Sequence, residues 1–517
     1  MLPQQDTLWP PKPYDQAYQR YTVWDAWYRG DMGKLAELYA GQTRAAGRTR
    51  QGGILSSLVN FFVGRPVAPG EHRTRLHAPL AGNLARLSAE LLLATPPSIN
   101  LVDDNDGRAG KRLDEIVNQP QFRAALLDGA EIGAALGGTA FTIAWDRDIA
   151  DTPWVQAAGA DLVIPEHHAG RLAALTMWTE YPVDNSATVF RHLEQHVPGY
   201  ILHGLYEGTA TNLGRMVPLT VRPETEHLAA LTEQEIGGQP AIPTGSRKLT
   251  AVYIPNASAK DWRRDGVLKD LGRSDFEGLD GMFDALDETW SSWMRDIRLA
   301  KARLMVPEGT LDRTGQFDPD REVYQTLNLP PNMIGDNAIN AQQFLIRTQE
   351  HADTASAISA QIILAAGYSL SDLDQYASSA QTATEVTDRR SQSERTRDRK
   401  GLNWQAGLSA LSQALMEVDA AVYPGKGGQS IAPPSVEFTA QATPDPTQVA
   451  QQISFLRSAE VLSRETAVRM ANPDWTDEQV GAEMDRLAAE APADPGTFGR
   501  YEPDENGAED DTGNEVP

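Results

Sequence analysis

The chain has 517 residues, 41% of them hydrophobic, with 11 tryptophans, no cysteine and a formal net charge of −25. That length exceeds one simple core and predicts more than one lobe. The absence of cysteine excludes thiolate metal sites, disulfide staples and thiol catalysis, and the acidity argues against a sequence-reading DNA binder. A channel through which DNA slides without sticking stays open, because every base clamped on a phosphate adds grip. Residues 491–517 carry eight acids and one base, so −7 of the charge lies there and −18 in the body. The N-terminal "MLPQQDTLWPPKPYDQ" lacks the basic and apolar regions of a signal peptide. No uncharged apolar run approaches the roughly 20 residues that span a bilayer. The expectation is a protein soluble inside a cell, or part of a particle assembled there, with no membrane partner.

Tyr14, Tyr18, Tyr21, Trp24 and Tyr28 recur at helical spacing, with Trp27 beside them. They predict a helix docking its aromatic stripe on a neighbour, either within the chain or on another protein. "GRPVAPGE" is a loop by its Gly and Pro. Leu80, Leu84, Leu87, Leu91 and Ala94 follow at helical intervals, ended by "TPP". "SINLV" reads as a short strand turning at "DDNDG", residues 122–136 as a helix, and "GGTAFTIAWD" as a strand. Between Trp154 and Tyr253, "ADLVIP", "LAALTMWTEYPV", "TVFRHL", "YILHGLYEG" and "RMVPLTV" are strand-like and separated by Gly, Pro and Asn. This is a mixed α+β lobe with antiparallel hairpins.

Next comes "GLDGMFDALDETWSSWMRDIRLAKARLMVP", read as one unbroken helix. Ser274 and Glu277 form a capping-box pattern ahead of it. Phe276, Leu279, Phe283, Leu286, Trp290, Trp293, Ile297, Ala300 and Leu304 alternate at spacings of three and four, a heptad seam. Acids fill the first half and bases the second, the order that suits the helix dipole. Such a rod, Ser274 to Leu304, is roughly 45 Å long at 1.5 Å per residue. After Pro307 a compact loop-and-strand excursion runs to about Ile339. A second long helix is expected from about Asn340 to Ala366, with small residues along it. A polar loop then leads to a third helix, starting at a Thr382–Glu385 capping box. Its first half, "EVTDRRSQSERTRDRK", must be solvated or pressed against charge. Its second half carries Trp404, Leu408, Leu411, Leu415, Val418 and Val422 as a packed face. "PPSVEFTAQ" reads as a strand. Two or three helices follow, with Ser463 and Thr476 as N-caps, and the tail after Glu490 has the composition of a disordered segment.

Catalytic and metal signatures are missing. No phosphate-cradling Gly-x-x-x-x-Gly-Lys loop and no Gly-x-Ser-x-Gly elbow occur, and "PGKGGQS" reads as a hairpin turn. "DDNDG" fails as a calcium loop, because Val102 and Leu113 stand at its two main ligand positions. Glu166, His167 and His168 are adjacent, and on a strand they point to opposite faces. For Asp296 a salt bridge suffices. No cofactor, catalytic residue or metal ligand is expected.

The order of these parts resembles the portal proteins of tailed bacteriophages, in particular of long-tailed phages infecting actinobacteria. Four stretches carry the likeness: "GRPVAPGEHRTRLHAPLAGNLARLSAELLLATPP", "LGRSDFEGLDGMFDALDETWSSWMRDIRLAKARLMVP", "TATEVTDRRSQSERTRDRK" and "SRETAVRMANPDWTDEQVGAEMDRL". The resemblance implies an α+β portal fold. In it, 1–29 is an N-terminal aromatic arm, 30–265 the wing, 266–304 stem helix 1, 305–339 the clip and 340–373 stem helix 2. Residues 374–384 are the tunnel loop, 385–443 the tunnel helix and return to the wing, 444–490 the crown and 491–517 an acidic tail. It further implies a ring, commonly of twelve copies, at one capsid vertex of the virion, assembled in the host cytoplasm. The partners would be terminase, head–tail connector, major capsid and scaffolding proteins, and double-stranded DNA passing without sequence specificity.

On that resemblance, Asp280, Asp284, Asp287, Ser378, Ser379, Gln381 and Thr382 line the channel. Arg389, Arg390 and Arg397 touch phosphates briefly, or pair along their own helix with Glu385, Asp388, Glu394 and Asp398. Asp312, Arg313, Asp318 and Asp320 meet terminase at the clip. Phe283, Leu286, Trp290, Trp293 and Ile297 form the inter-helix seam. The competing readings are another virion structural or scaffold protein, and a carboxylate-dependent hydrolase or metal nuclease. The decorated hairpin of long helices favours the portal over the former, and the missing signatures count against the latter.

Overall fold

The computed structural model describes residues 1–38, 76–101, 104, 107–232, 234–299, 303–305, 340–342, 347–370, 373, 383–426, 432–438, 446–459, 461–472, 475 and 477–489. The chain divides into two units, Met1–Thr439 and Ala440–Pro517.

In the first unit, helix α1 (Tyr14–Arg29) leads, by way of α2 (Leu80–Leu93), to a short strand β1 (Ser98–Asn100). Helices α3 (Arg108–Val117) and α4 (Pro120–Leu136) follow, the second with Pro in its first turn, where no helical N–H is lost. Gly137 ends α4 at φ +91°, and a Cβ there would come within 2.8 Å of the Arg273–Ser274 backbone. That close approach is what the glycine permits. Strands β2 (Gly138–Ala144), β3 (Trp154–Gly159) and β11 (Ala251–Pro255) make a three-stranded antiparallel sheet in the order β11-β2-β3.

Alternation along this sheet separates two cores. Ala140, Ala158 and Tyr253 face one, with α1, the larger sheet and the roots of the long helices. Phe141, Ile143, Val155, Val252 and Ile254 face the other, with α3, α4 and the apolar half of helix α8 (Ala383–Val422). The larger sheet runs β4 (Val163–His168), β5 (Arg171–Pro182), β6 (Thr188–Val197), β7 (Tyr200–Thr209), β10 (Gln239–Pro243), β9 (Gln234–Ile236), and β8 (Asn212–Val217) also pairs with β7. Between β8 and β9 lies the short helix α5 (Pro223–Leu231).

The aromatic stripe of α1 covers the edge of that sheet. The Tyr14 and Tyr18 hydroxyls donate to the carbonyls of Pro165 and Val163 on β4, at 2.8 and 2.5 Å. An exposed edge is thereby capped by side chains. Tyr21, Trp24 and Trp27 are buried in the same core, so the stripe docks within its own chain. Four of the nine histidines gather around β6 and β7. His192 Nε2 lies 3.1 Å from His203 Nδ1, His196 Nε2 3.0 Å from Glu194 Oε1, and His227 on α5 is near. Burial pushes the His203 imidazole down to about 4 and lowers His192 too.

The second unit contains α9 (Pro446–Ser458), α10 (Arg464–Ala471) and α11 (Asp477–Ala489). Ser463 caps α10 as expected, accepting from the Thr466 amide at 3.1 Å. Thr476 lies outside the described residues. Strand β14 (Ser435–Glu437), in the first unit, pairs with β1 in antiparallel register.

Candidate functional site: the long-helix hairpin and its buried anchor

The rod is shorter than its sequence pattern. Helix α6 covers Asp280–Leu299, and Arg303–Met305 is a strand, β12. Its partner, α7, covers Thr348–Ala366, whereas Asn340–Gln342 is a strand, β13, paired with β12. The unbroken helix to Pro307 and the helix start at Asn340 are therefore corrected: the hairpin continues as a two-stranded ribbon. The capping box is corrected as well. Ser274 Oγ accepts from the Phe276 amide and donates to the Ala135 carbonyl at the end of α4. Glu277 instead accepts from the Asp261 amide at 3.2 Å. Ser274 thus fastens the approach to α6 onto α4 and caps only a turn.

The seam of α6 has two parts. Phe276, Leu279, Phe283 and Leu286 are buried in the first core with Ile362 and Ile363 of α7, and Phe283 packs on Trp27 at 5.3 Å. Beyond Leu286 the helix is held by the segment before α2, whose Leu76 amide donates to Ser291 Oγ at 3.1 Å, and by α7. Trp293 stacks on His351 at 6.1 Å and on Trp290 at 5.2 Å. Asp296 binds Arg347 at 2.8 Å and His351 at 3.0 Å across the hairpin, partners that make the two helices antiparallel. Those two partners hold the Asp296 carboxyl below its ordinary value, His351 foremost. Trp290 and Ile297 both remain 38% exposed. The apolar strip of α6 is thus buried in its first half and partly open to solvent at Trp290 and Ile297.

The acids of α6 do not form one open row. Asp287 is 7% exposed, and its oxygens accept from the Ala78 amide at 2.8 Å and meet His77 Nδ1 at 3.0 Å. Its reading as a channel-lining residue is corrected: the carboxylate fastens α6 to the start of α2. Asp280 is half-buried 3.6 Å from Arg20 of α1, and burial raises its carboxyl against the pull of that guanidinium. Asp284 is half-buried. Arg397 is ion-paired with Asp398 at 2.8 Å, its side chain 10% exposed. A phosphate contact through Arg397 is corrected to the local pairing. Arg389 and Arg390 lie on α8, with side chains outside the described residues. Ser378, Ser379, Gln381, Thr382, Asp312, Arg313, Asp318 and Asp320 lie outside them too.

A buried ionic node joins the three long helices to α2 and to the loop after β11. Lys400 of α8 is 4% exposed, and its three N–H bonds all find acceptors. They reach Ser88 Oγ of α2 at 2.6 Å, Asp275 Oδ2 at 2.6 Å and Tyr368 Oη, just past α7, at 2.9 Å. Tyr368 donates to Asp275 at 2.7 Å, and Asn256 donates to the other Asp275 oxygen at 2.9 Å. The ammonium lies 5.6 Å from the Tyr368 ring centroid. With the hydroxyl between them, this is contact at the ring edge and no cation–π stack. Burial lowers the Lys400 value against the pull of Asp275, and burial foremost raises the Tyr368 hydroxyl. Nearby, Ser393 Oγ accepts from the Ser369 amide at 2.8 Å, and Thr396 donates to the Gly367 carbonyl at 2.7 Å. The charged half of α8 is therefore pressed against charge at its inner end, one of the two alternatives the sequence allowed. Farther along α8, buried Asp419 binds Arg112 of α3 at 2.8 and 3.1 Å. Neither node was identified from the sequence. Lys400 carried a signal: it lies four residues before Trp404, on the same stripe as Leu408, Leu411 and Leu415.

Among the described residues no group of three or more His, Asp or Glu is placed to hold a metal ion, and no helix is long and apolar enough to cross a membrane. The described geometry is one of long helices rooted in two cores, with Trp290 and Ile297 of α6 partly exposed. Residues 254–494 match the family model described as phage portal protein, SPP1 Gp6-like. No curated protein matches the chain. Among solved structures it is similar to a chain of the virion of a native gene transfer agent particle, at 14% identity and TM-score 0.39, covering 80% of this chain and 97% of that one. It is also similar to a chain in the neck of the native particle computed with C12 symmetry (11%, 0.38, covering 76% and 90%). A third likeness is to the neck of the empty particle computed with C6 symmetry (13%, 0.41, covering 79% and 95%).

Proposed function

We propose, from the portal-family match over residues 254–494, that this chain is the subunit of a ring at one capsid vertex through which the genome enters and leaves. The wing forms the outer body and the α6–α7 hairpin the stem. The segment between β12 and β13 is the clip, meeting terminase during packaging and head–tail connector proteins afterwards. The second unit is the crown. Capsid and scaffolding proteins are the remaining partners, double-stranded DNA passes without sequence specificity, and assembly takes place in the cytoplasm of the host.

The observation that carries this reading, beside the family match, is the partly exposed face of α6. Trp290 and Ile297 stand 38% exposed on a helix whose other half is fully rooted. In a ring each copy covers that face of its neighbour. A bore built from copies of a chain of net charge −25 would centre DNA without holding it, which suits translocation. Electron microscopy of the purified full chain tests the proposal. Rings of about a dozen copies with an open axial hole support it, twelve being the expectation. A monomer or dimer at micromolar concentration would remove it.

A further inference from the structure

The three-stranded sheet of the wing is electrically polarised from end to end. At one end Pro255 of β11 pairs with Gly138 of β2, and the loop 256–273 departs. Lys260, Arg263, Arg264 and Lys269 of that loop are exposed, and none makes a hydrogen bond or ion pair among the described residues. Four free cations within ten residues are conspicuous on a chain of net charge −25. The loop is held firmly. Trp262 Nε1 donates to the Gly272 carbonyl at 3.2 Å, and its ring packs on Tyr21 and Trp24. Asp265 accepts from the Val267 and Leu268 amides at 2.8 and 2.9 Å, and Leu268 is buried. Val267, 42% exposed, sits among the cations. Of the loop's acids, Asp261 is paired with Arg20, Asp265 serves those amides, and Asp270 is half-buried.

At the other end Ala144 pairs with Trp154, and the turn between β2 and β3 exposes Asp146 and Asp148 against one base, Arg147, while Asp151 is ion-paired with Lys426 at 2.7 Å. It is also rigid: Asp146 accepts from the Asp148 amide at 2.8 Å, and Tyr423 donates to the Ala150 carbonyl at 2.9 Å. Ile149 stands 75% exposed at its tip. The seven residues of β2 hold the two ends roughly 20 Å apart.

We propose that these ends are the two halves of one head-to-tail contact between copies: the basic loop of one subunit docks on the acidic turn of the next, Val267 against Ile149. The patches differ from each other, so the contact is heterologous and generates a ring when its rotation closes. The proposal rests on the ring reading and adds which surfaces set its direction. Duplex DNA is the weaker occupant, because acids interleave the cations and a matching acidic knob is present on the same chain.

Two full-length variants test it, Arg263→Glu/Arg264→Glu and Asp148→Lys. The second leaves the Asp146 side chain in place. Both change exposed side chains, and circular dichroism checks that each folds. In mass photometry at moderate salt, each alone should show a ring population reduced at least about tenfold, from like charge meeting like. An equal mixture should recover rings, because every junction then joins opposite signs. Either variant assembling as the unaltered protein does, or a mixture no better than its parts, overturns the proposal and leaves the ring reading standing. Absence of rings from the unaltered protein removes both. Normal rings from the arginine variant that no longer retain a 30-bp duplex would assign the loop to phosphate and overturn the contact.

Discussion

Replacing Lys400 by Met tests the ionic node. The substitution keeps the stem of the side chain and removes the ammonium, leaving Asp275 buried with only Tyr368 and Asn256 as donors. At the 2.6 Å separation of Lys400 and Asp275, Coulomb attraction is about 6 kcal/mol at an effective dielectric of 20. Desolvation of two ions, several kcal/mol each, cancels most of that. The intact pair is therefore near neutral in net terms, while removing one partner costs about 3–5 kcal/mol. Lys400→Met should lose that amount in urea unfolding followed by circular dichroism, and Lys400→Met/Asp275→Leu should regain much of it. A single variant costing under about 1 kcal/mol would show that Asp275 is not a stranded buried charge, and the node as described would fail.

Trp290→Asp should leave the protomer folded and abolish rings in mass photometry, since it puts a charge into the open half of the seam; rings at normal yield would show that this face is not the interface. Asp287→Ala should cost about 1.5–3 kcal/mol in urea unfolding, because the Ala78 amide and His77 lose their acceptor. The unfolded chain binds more protons than the folded one between the depressed His203 value of about 4 and the ordinary 6.5. Stability should therefore rise with pH across that window and fall by about 3 kcal/mol on acidification through it. His203→Leu should flatten the slope of urea midpoints taken at pH 4, 5.5 and 7, and an unchanged slope would contradict the assignment. Truncation after Glu490 should leave rings intact, and their loss would make the tail structural.

Periodicity made the helices and strands legible, because core-facing positions repeat at fixed spacing. Trp404, Leu408, Leu411, Leu415 and Val418 are buried as their spacing requires. What periodicity hid was where a helix stops. The heptad pattern runs on to Leu304, yet the backbone is extended at Arg303–Met305 because a partner strand distant in sequence supplies its hydrogen bonds. Charge was misleading for the same reason. Asp287 looked like a solvent-facing acid of an acidic stripe, and its partners at His77 and Ala78 lie 210 and 209 residues away. Lys400 and Asp275 stand in charged stretches 125 residues apart, and only the tertiary fold brings them together in a buried node. Contacts that join distant segments leave little local trace, apart from a charged residue sitting in register with a buried stripe.

In the proposed ring, sister copies cover the outer half of α6 around a hollow axis. Cryo-electron microscopy of the assembled full-length protein measures this directly. The expected result is a closed ring with an open axial hole in which Trp290 and Ile297 are buried against the neighbouring copy. A ring with both side chains still in solvent, or a solitary molecule with no axial opening, would contradict it.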